Sequence, residues 1–365
     1  MTAFPPVAAI GAISGTSMDG IDVALLSTDG ERVTRTGIGR SYPYPDALRA
    51  ELLDFLRDPS VAERDPLADL EARVTDAHVA AVEKLIADFA IDRTTVTVAG
   101  LHGQTVWHRP ERRFTRQLLD GPRAAKALGL DVVTRFRDAD VAAGGEGAPF
   151  APLYHRALAA DLPKPVMVLN LGGVGNVTYV DADATIAFDT GPASALLDDF
   201  VRRRRGLAFD EDGRLAAAGK VDAKVLAGLM ANPFFAAKPP KSLDRNDFHA
   251  RAKVVDALGD EDGAATLAAF TVESVAASLA HVPAAPARWL VTGGGRLNAT
   301  FMKGLAARLG VPVDPVEAVG WNGDFVEAEL FAFLAVRSLR GLPLSLPTTT
   351  GVPAPMPGGK LARAA

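Results

Sequence analysis

The sequence predicts an α/β protein in which one strand-and-loop unit occurs twice, and three observations carry that expectation. An apolar run, Ile10 to Ile13, meets a loop opening at Gly15, and a second apolar run follows at once in "AIGAISGTSMDGIDVALLSTDG". Near Pro165 the pattern starts again: Val166 to Leu169 meets Gly172 and Gly173 in "KPVMVLNLGGVGNVTYVDADATIAFDTG". Around both stretches, short strand-like runs alternate with segments of helical apolar spacing, as α/β proteins require.

The elements follow in order. "VAAIGAIS" and "IDVALLST" read as strands, and Asp29-Gly30 is a hairpin turn signal before "RVTRTGIGRSYPY". Two helices follow, "PDALRAELLDFLRD" and a longer one with Leu70, Val74, Ala77, Ala81 and Leu85 on one face. "TTVTVAG" is a short strand ending in "LHGQT"; "GPRAAKALG" is a helix and "DVVTRF" a strand. In the second half, Asn176 to Val180 and Thr185 to Phe188 complete a three-strand meander. The helix "PASALLDDFVRRRRG", the segment "DAKVLAGLM", the Pro/Lys loop "NPFFAAKPPKSLDRNDF" and the apolar helix "AATLAAFTVESVAASLAHV" come next. "RWLVTGGGRLNATFMKGLAARLG" is strand, glycine triplet, helix, and "GDFVEAELFAFLAVRSLRG" a further helix. The Pro-, Thr- and Gly-rich tail from Pro343 has no periodicity.

With 365 residues, two domains are favoured. The pattern divides them as 1–145 and 146–342, with the 343–365 tail packing back on the first. Charge is nearly balanced, 39 Lys+Arg against 44 Asp+Glu, which weighs against a nucleic-acid binder. Arg202 to Arg205 end a helix, where basic residues suit the dipole, so a solvated terminus is the better reading. The absence of cysteine excludes disulfides, zinc thiolate sites and cysteine nucleophiles. The N-terminus lacks a basic region before its apolar run, and no uncharged stretch is long enough to span a bilayer. The expectation is a soluble, cytoplasmic protein with no nucleic-acid or membrane partner.

Three Gly-rich loops, "SGTSMDG", "NLGGVGN" and "TGGGRLN", each follow an expected strand. Backbone amides in such loops cradle phosphate oxygens, and Thr16 and Ser17 add hydroxyl donors. Asp19 cannot face phosphate without a cation between them, which suggests Mg²⁺. None of the loops is a P-loop or a dinucleotide fingerprint. Asp189, in "FDTGP", reads equally as a catalytic base or as the cap of a helix opening at Pro192. His102, Gln104 and Thr105 stand where a strand's carboxyl end would put a ligand crevice, although a lone histidine is more often structural. Arg137 reads by itself either as a site residue or as a surface ion pair; Glu327, three residues after Asp324, is close to a capping box. The histidines show no metal-binding spacing.

Together the loops resemble those of the actin, sugar kinase and Hsp70 superfamily. That resemblance implies two related domains of ribonuclease H-like type flanking a central nucleotide cleft. The first loop (Gly15, Thr16, Ser17, Met18, Asp19, Gly20, with Asp22 beyond it) and the second (Gly172, Gly173, Asn176) would grip ATP phosphates, and Gly293, Gly294 and Gly295 would lie near adenosine. The finer motifs "GTSMDGID", "LHGQT", "FRDADVAAGGEGAP", "NLGGVGNVT", "FDTGP", "PKSLDR", "GGGRLN" and "GDFVEAELFAFLAVR" resemble the anhydro-N-acetylmuramic acid kinase family, in order from Gly15 to about Gly341. The resemblance implies an ATP- and Mg²⁺-dependent homodimeric kinase. It would hydrolyse the bridge of 1,6-anhydro-N-acetylmuramic acid and phosphorylate O6, giving N-acetylmuramic acid 6-phosphate for cell-wall recycling. It implies Asp189 as the base and His102, Gln104, Arg137, Glu146, Lys241 and Glu327 as sugar contacts.

The chain departs from the family pattern at Ala193-Ser194, at Arg135 in place of an acid, and at Glu146 in place of a glutamine. These departures touch the sugar side more than the nucleotide side. The competing readings are another sugar or small-acid kinase of this superfamily and a non-catalytic nucleotide-binding switch.

Overall fold

Apolar residues on both faces of the first strands require a sheet covered on both sides. In the computed structural model, which describes residues 4–15, 18–244 and 246–364, that sheet belongs to the first of two units. Its strands are β1 (Val7–Ser14), β2 (Ile21–Thr28), β3 (Val33–Tyr42), β4 (Val96–Arg109), β5 (Phe114–Leu118) and β6 (Val132–Thr134). β1 to β3 form an antiparallel meander, β4 runs parallel to β1, β6 runs parallel to β4, and β5 pairs the far half of β4 as a hairpin. Ile10 and Ala12 face a core that includes Val74, Val82 and Leu85 of the Ala68–Asp88 helix. Ala9 and Ile13 face the opposite core, built on the Val326–Leu339 helix.

The second unit repeats this plan. β7 (Val166–Leu171), β8 (Val174–Val180) and β9 (Thr185–Pro192) form a meander; β10 (Arg288–Thr292) runs parallel to β7 and β11 (Val313–Pro315) parallel to β10. The order β9-β8-β7-β10-β11 thus matches β3-β2-β1-β4-β6 strand for strand and sense for sense. Met167, Leu169 and Leu171 face a core holding Phe200, Phe270, Trp289 and Phe301. The Asp260–Ala277 helix within that core is long and apolar enough to cross a membrane, but 72% of its most apolar window is buried. The four arginines that close the Ser194–Arg205 helix are engaged at its surface: Arg202 pairs with Asp199, Arg203 with Asp256, Arg204 with Asp260, and Arg205 with Asp260 and Glu261.

Several expectations require correction. The units are Met1–Ala160 with Phe325–Ala365, and Asp161–Asp324, so the Val326–Leu339 helix belongs to the first unit and not to a 146–342 domain. The reason is steric. Gly11 and Gly100 are lateral partners on β1 and β4, and a Cβ on either would lie 1.9 Å from the Ala328 carbonyl oxygen or 2.0 Å from that of Phe331. Only bare backbone lets the helix sit this close. The tail then adds β12 (Lys360–Ala362) antiparallel to β6. β4 does not stop before "LHGQT" but runs through it for 14 residues, with Gly103 at φ 75° bending it. Pro192 ends β9, and the next helix opens at Ser194. Asp324 caps nothing: its carboxylate takes the Arg296 guanidinium at 2.7 Å.

Two outcomes follow from this packing. Gly11→Ala and Gly100→Ala should each lower stability by about 3 kcal/mol or more, because neither strand nor helix backbone can yield, whereas Gly129→Ala, with nothing within 4 Å of its Cβ position, should cost only its φ of 61°; urea melts of the three variants measure the contrast. His78 is fully enclosed, donates its Nδ1–H to the Val74 carbonyl at 2.9 Å, and is pushed down to about 4 by burial. Its neutral form is the native one, so the unfolded chain binds the extra proton between about pH 4 and 6.5, and stability should fall as pH drops through that window. Replacing His78 by Gln should remove roughly 2 kcal/mol of the loss between pH 7 and pH 5, measured by denaturant melts at both values.

Candidate active site

In the first unit, the end of β1 is tied to β4 by buried polar groups. Ser14 Oγ donates to Gln104 Oε1 at 2.6 Å, and Gln104 Nε2 donates to the Gly15 carbonyl at 3.3 Å. Gln104, expected as a sugar contact, has no exposed surface in this structure and holds the root of the first glycine loop. Met18 is equally buried at φ 55° and plugs the loop into the core beside Tyr44 and Leu48. Asp19 projects into solvent and meets Arg49 Nη2 at 3.2 Å, while Arg49 Nε donates to the Met18 carbonyl at 3.0 Å. Thr16 and Ser17 lie outside the described residues.

His102 and Arg137 form one assembly. Arg137 Nε donates to His102 Nε2 at 3.0 Å, which leaves Nδ1–H of His102 to donate to the Gly103 carbonyl, also at 3.0 Å. Burial first, and the Arg137 charge second, hold the imidazole well below its usual range, so it is a neutral acceptor. His102, expected as a sugar contact, is 3% exposed, packs on Phe331 with ring centroids 4.5 Å apart, and fixes the Arg137 guanidinium. Arg137 Nη1 donates to the Gly147 carbonyl at 2.6 Å, and Nη2 has no hydrogen-bond partner among the described residues. Burial lowers the guanidinium to about 10, with Glu327 and Asp140 opposing. Glu327 keeps a solvent-open surface, yet surrounding protein pushes its carboxyl up, the nearby Asp22 carboxylate adds to this, and Arg137 opposes. Asp22 accepts from Ser41 Oγ. Glu146 is exposed; Arg135, also exposed, pairs with Asp138 at 2.5 Å.

In the second unit, strand register builds a polar row. Thr292 pairs with Asn170, Asn170 with Asn176, and Asn176 with Asp189, across β10, β7, β8 and β9. Laterally paired residues share a face, so all four side chains stand on the face opposite Leu169 and Leu171. Asn170 and Thr292 were missed in the sequence. The available signal was a polar residue closing each apolar run just ahead of its glycines. Asp189 is fixed along the edge of β9: its N–H donates to the Lys241 carbonyl at 3.0 Å, and its Oδ2 accepts from Leu243 N–H at 2.8 Å.

Lys241 therefore acts on Asp189 through its backbone. Its ammonium, expected as a sugar contact, donates to the Phe234 carbonyl at 2.9 Å, lies 4.6 Å from the Phe234 ring centroid and meets His281 Nε2 at 3.4 Å, so that it is caged within its own unit. Burial brings it down to about 8, with Asp189 opposing. The Gly172-Gly173 turn is seated on the next helix, because Ser194 Oγ and N–H both donate to the Gly172 carbonyl, at 2.8 and 3.0 Å. The departure at Ser194 is thus a support for this loop. Gly293 passes so close to β7 that a Cβ would lie 2.4 Å from Asn170 Oδ1; one on Gly295 would lie 2.5 Å from Leu171 Cβ. Gly294 alone of the triplet has open space at its Cβ position.

Among the described residues no group of three or more His, Asp and Glu side chains converges as a metal cage. Asp19 is nonetheless a suitable partner for Mg²⁺ carried on phosphates, since that ion takes one or two protein carboxylates and keeps its waters.

The family model for anhydro-N-acetylmuramic acid kinase matches residues 7–362. The protein of that name from Rhodospirillum rubrum is 52% identical over 356 residues, covering 96% of this chain and 93% of its own. The one from Paramagnetospirillum magneticum is 51% identical over 354 residues, covering 96% and 98%. Among solved structures, component A of the (R)-2-hydroxyglutaryl-CoA dehydratase of Acidaminococcus fermentans aligns at 10% identity over 92% of this chain and 99% of its own, with a TM-score of 0.49. With a family match that spans both units and relatives about half identical over nearly the whole chain, the chain belongs to the anhydro-N-acetylmuramic acid kinase family.

Proposed function

We propose that this chain is the ATP-dependent kinase that opens the 1,6-anhydro bridge of 1,6-anhydro-N-acetylmuramic acid and phosphorylates O6. The products are N-acetylmuramic acid 6-phosphate and ADP, and the reaction serves cell-wall recycling in the cytoplasm. The observation that carries the residue assignment is Asp189, an aspartate gripped along a strand edge by the Lys241–Leu243 backbone at the end of a row of amides. In the anhydro sugar, O6 is bonded to C1 and carries no proton. Asp189 accepts a proton from water, the water oxygen bonds to C1, and the C1–O6 bond breaks with its electrons going to O6. O6 then attacks the γ-phosphorus as the bond to ADP breaks. One water and one ATP are consumed per sugar, and one proton is released.

Arg137, pre-set by His102 and Gly147, offers Nη2 to the sugar's lactyl carboxylate. Glu327, whose carboxyl is pushed up by the surrounding protein and by Asp22, takes a sugar hydroxyl. The amides of Gly15–Gly20 and Gly172-Gly173 receive the phosphates, and the 293–295 loop lies on the adenosine side. Asp19 would hold the Mg²⁺ that neutralises phosphate charge. A homodimer is the proposed assembly.

Turnover with ATP, Mg²⁺ and the anhydro sugar in ¹⁸O-water should place label at C1 and phosphate on O6. Mass spectrometry that found the bridge intact, or unlabelled C1, would sink the coupled mechanism. Asp189→Asn should lose about 10²–10⁴-fold in kcat while ATP affinity, measured calorimetrically, stays near wild type; near-normal turnover would remove the assignment of Asp189.

A further inference from the structure

We propose that Asp140 and the carboxyl-terminal segment from Leu344 to Val352 are positioning elements for Arg137, so that the tail is a working part of the sugar subsite. The inference rests on the reading of Arg137 as the carboxylate partner. Asp140 is 1% exposed, and its carboxylate is satisfied by three neutral donors. Gly147 N–H donates to Oδ1 at 2.7 Å, Thr350 Oγ1 donates to Oδ2 at 2.6 Å, and Ser345 Oγ donates to the same oxygen. Two of the three come from the tail, about two hundred residues away in sequence.

The same segment grips the glycine turn a second time, since Glu146 N–H donates to the Thr350 carbonyl at 2.7 Å. Gly145 is required by this closeness: a Cβ there would lie 2.3 Å from Asp140 Oδ1 and 2.6 Å from Val352 Cγ1. From the other side His108 Nε2 meets the Glu146 carbonyl at 2.9 Å. The tail is in turn braced by paired bonds between Ser345 and Met356 and by β12 on β6.

All of this converges on one atom, the Gly147 carbonyl oxygen that receives Arg137 Nη1 at 2.6 Å. A buried carboxylate must keep its donors, so Asp140 locks the turn, the turn locks one arm of the guanidinium, and His102 locks the other. A fork held at two points loses little freedom when it binds a carboxylate. Releasing one point lets Arg137 swing and weakens capture of an acidic sugar without touching ATP binding.

The test is the Ser345→Ala/Thr350→Val double variant of the full chain. The KM for the anhydro sugar should rise roughly tenfold, while the KM for ATP stays unchanged, and restoring a hydroxyl with Thr350→Ser should recover most of the loss. In an Arg137→Ala background the same double change should leave the sugar KM almost where Arg137→Ala alone puts it. An unchanged sugar KM, a parallel rise in the KM for ATP, or equal effects in both backgrounds would overturn the proposal. A readout independent of the substrate separates this from the functional reading: solvent exchange of the Arg137 Nε–H, followed by NMR, should quicken at least tenfold in the double variant. If the wild type turned over no anhydro sugar, the functional reading alone would fail, and unaltered exchange would still defeat the positioning role.

Discussion

The contact on which the first unit depends is backbone against backbone: the Val326–Leu339 helix resting on Gly11 of β1 and Gly100 of β4. Dispersion and burial both grow as atoms approach, and two adjacent glycines allow an approach that no side chain permits. The consequences reach the site. The helix delivers Glu327 to the region of Asp22 and Arg137, puts Phe331 under the His102 ring, and buries Glu329 between Arg35 at 2.9 Å and Tyr154 at 2.8 Å. Its far end is clamped by Arg337, which donates to the carbonyls of Gly30 at 2.6 Å and Pro343 at 2.7 Å. A helix apolar on nearly every side finds its place by depth of fit, with these few polar pairs fixing its rotation.

The polar chemistry of both units follows one rule: each loop or charged group of the candidate site is backed by a hydrogen bond from a second group, enclosed in the case of Gln104 and His102 and part-buried in the case of Ser194 and Leu243. Gln104 holds Gly15, His102 holds Arg137, Ser194 holds Gly172, and the Lys241–Leu243 backbone holds Asp189. Each backing group has its own polar atoms met elsewhere, as burial demands. The cage around the Lys241 ammonium shows how this works at a distance, since fastening that side chain to the Phe234 carbonyl sets the backbone that in turn sets Asp189.

Residue types that chemistry requires were visible in the linear chain. The glycine loops, Asp19, Asp189, Arg137 and Glu327 stood out because glycine and charge are unusual at the ends of apolar runs. The supporting geometry was not visible. His102 and Gln104 looked like ligand contacts because they sit in one short motif with Thr105, but β4 is covered on both faces there, with Phe331 packed on His102 and Ser14 bonded to Gln104. Lys241 looked like a free cation until its neighbours in space closed over it. Asp140 carried no distinguishing mark beyond its charge, because its partners Ser345 and Thr350 lie in a tail with no periodic signal.

Local periodicity, turn chemistry and the repeated strand-glycine-strand pattern by themselves determined the α/β class, the duplication and the three loops. These are properties of neighbouring residues, and short-range sterics and patterning suffice to write them. Tertiary structure alone decided that the Val326–Leu339 helix returns to the first unit, that the tail completes it with β12, and which candidate residues face outward and which support them from behind. Those outcomes depend on where a missing Cβ opens space and on which buried donor meets which acceptor across hundreds of residues. No local stretch of sequence encodes such pairings.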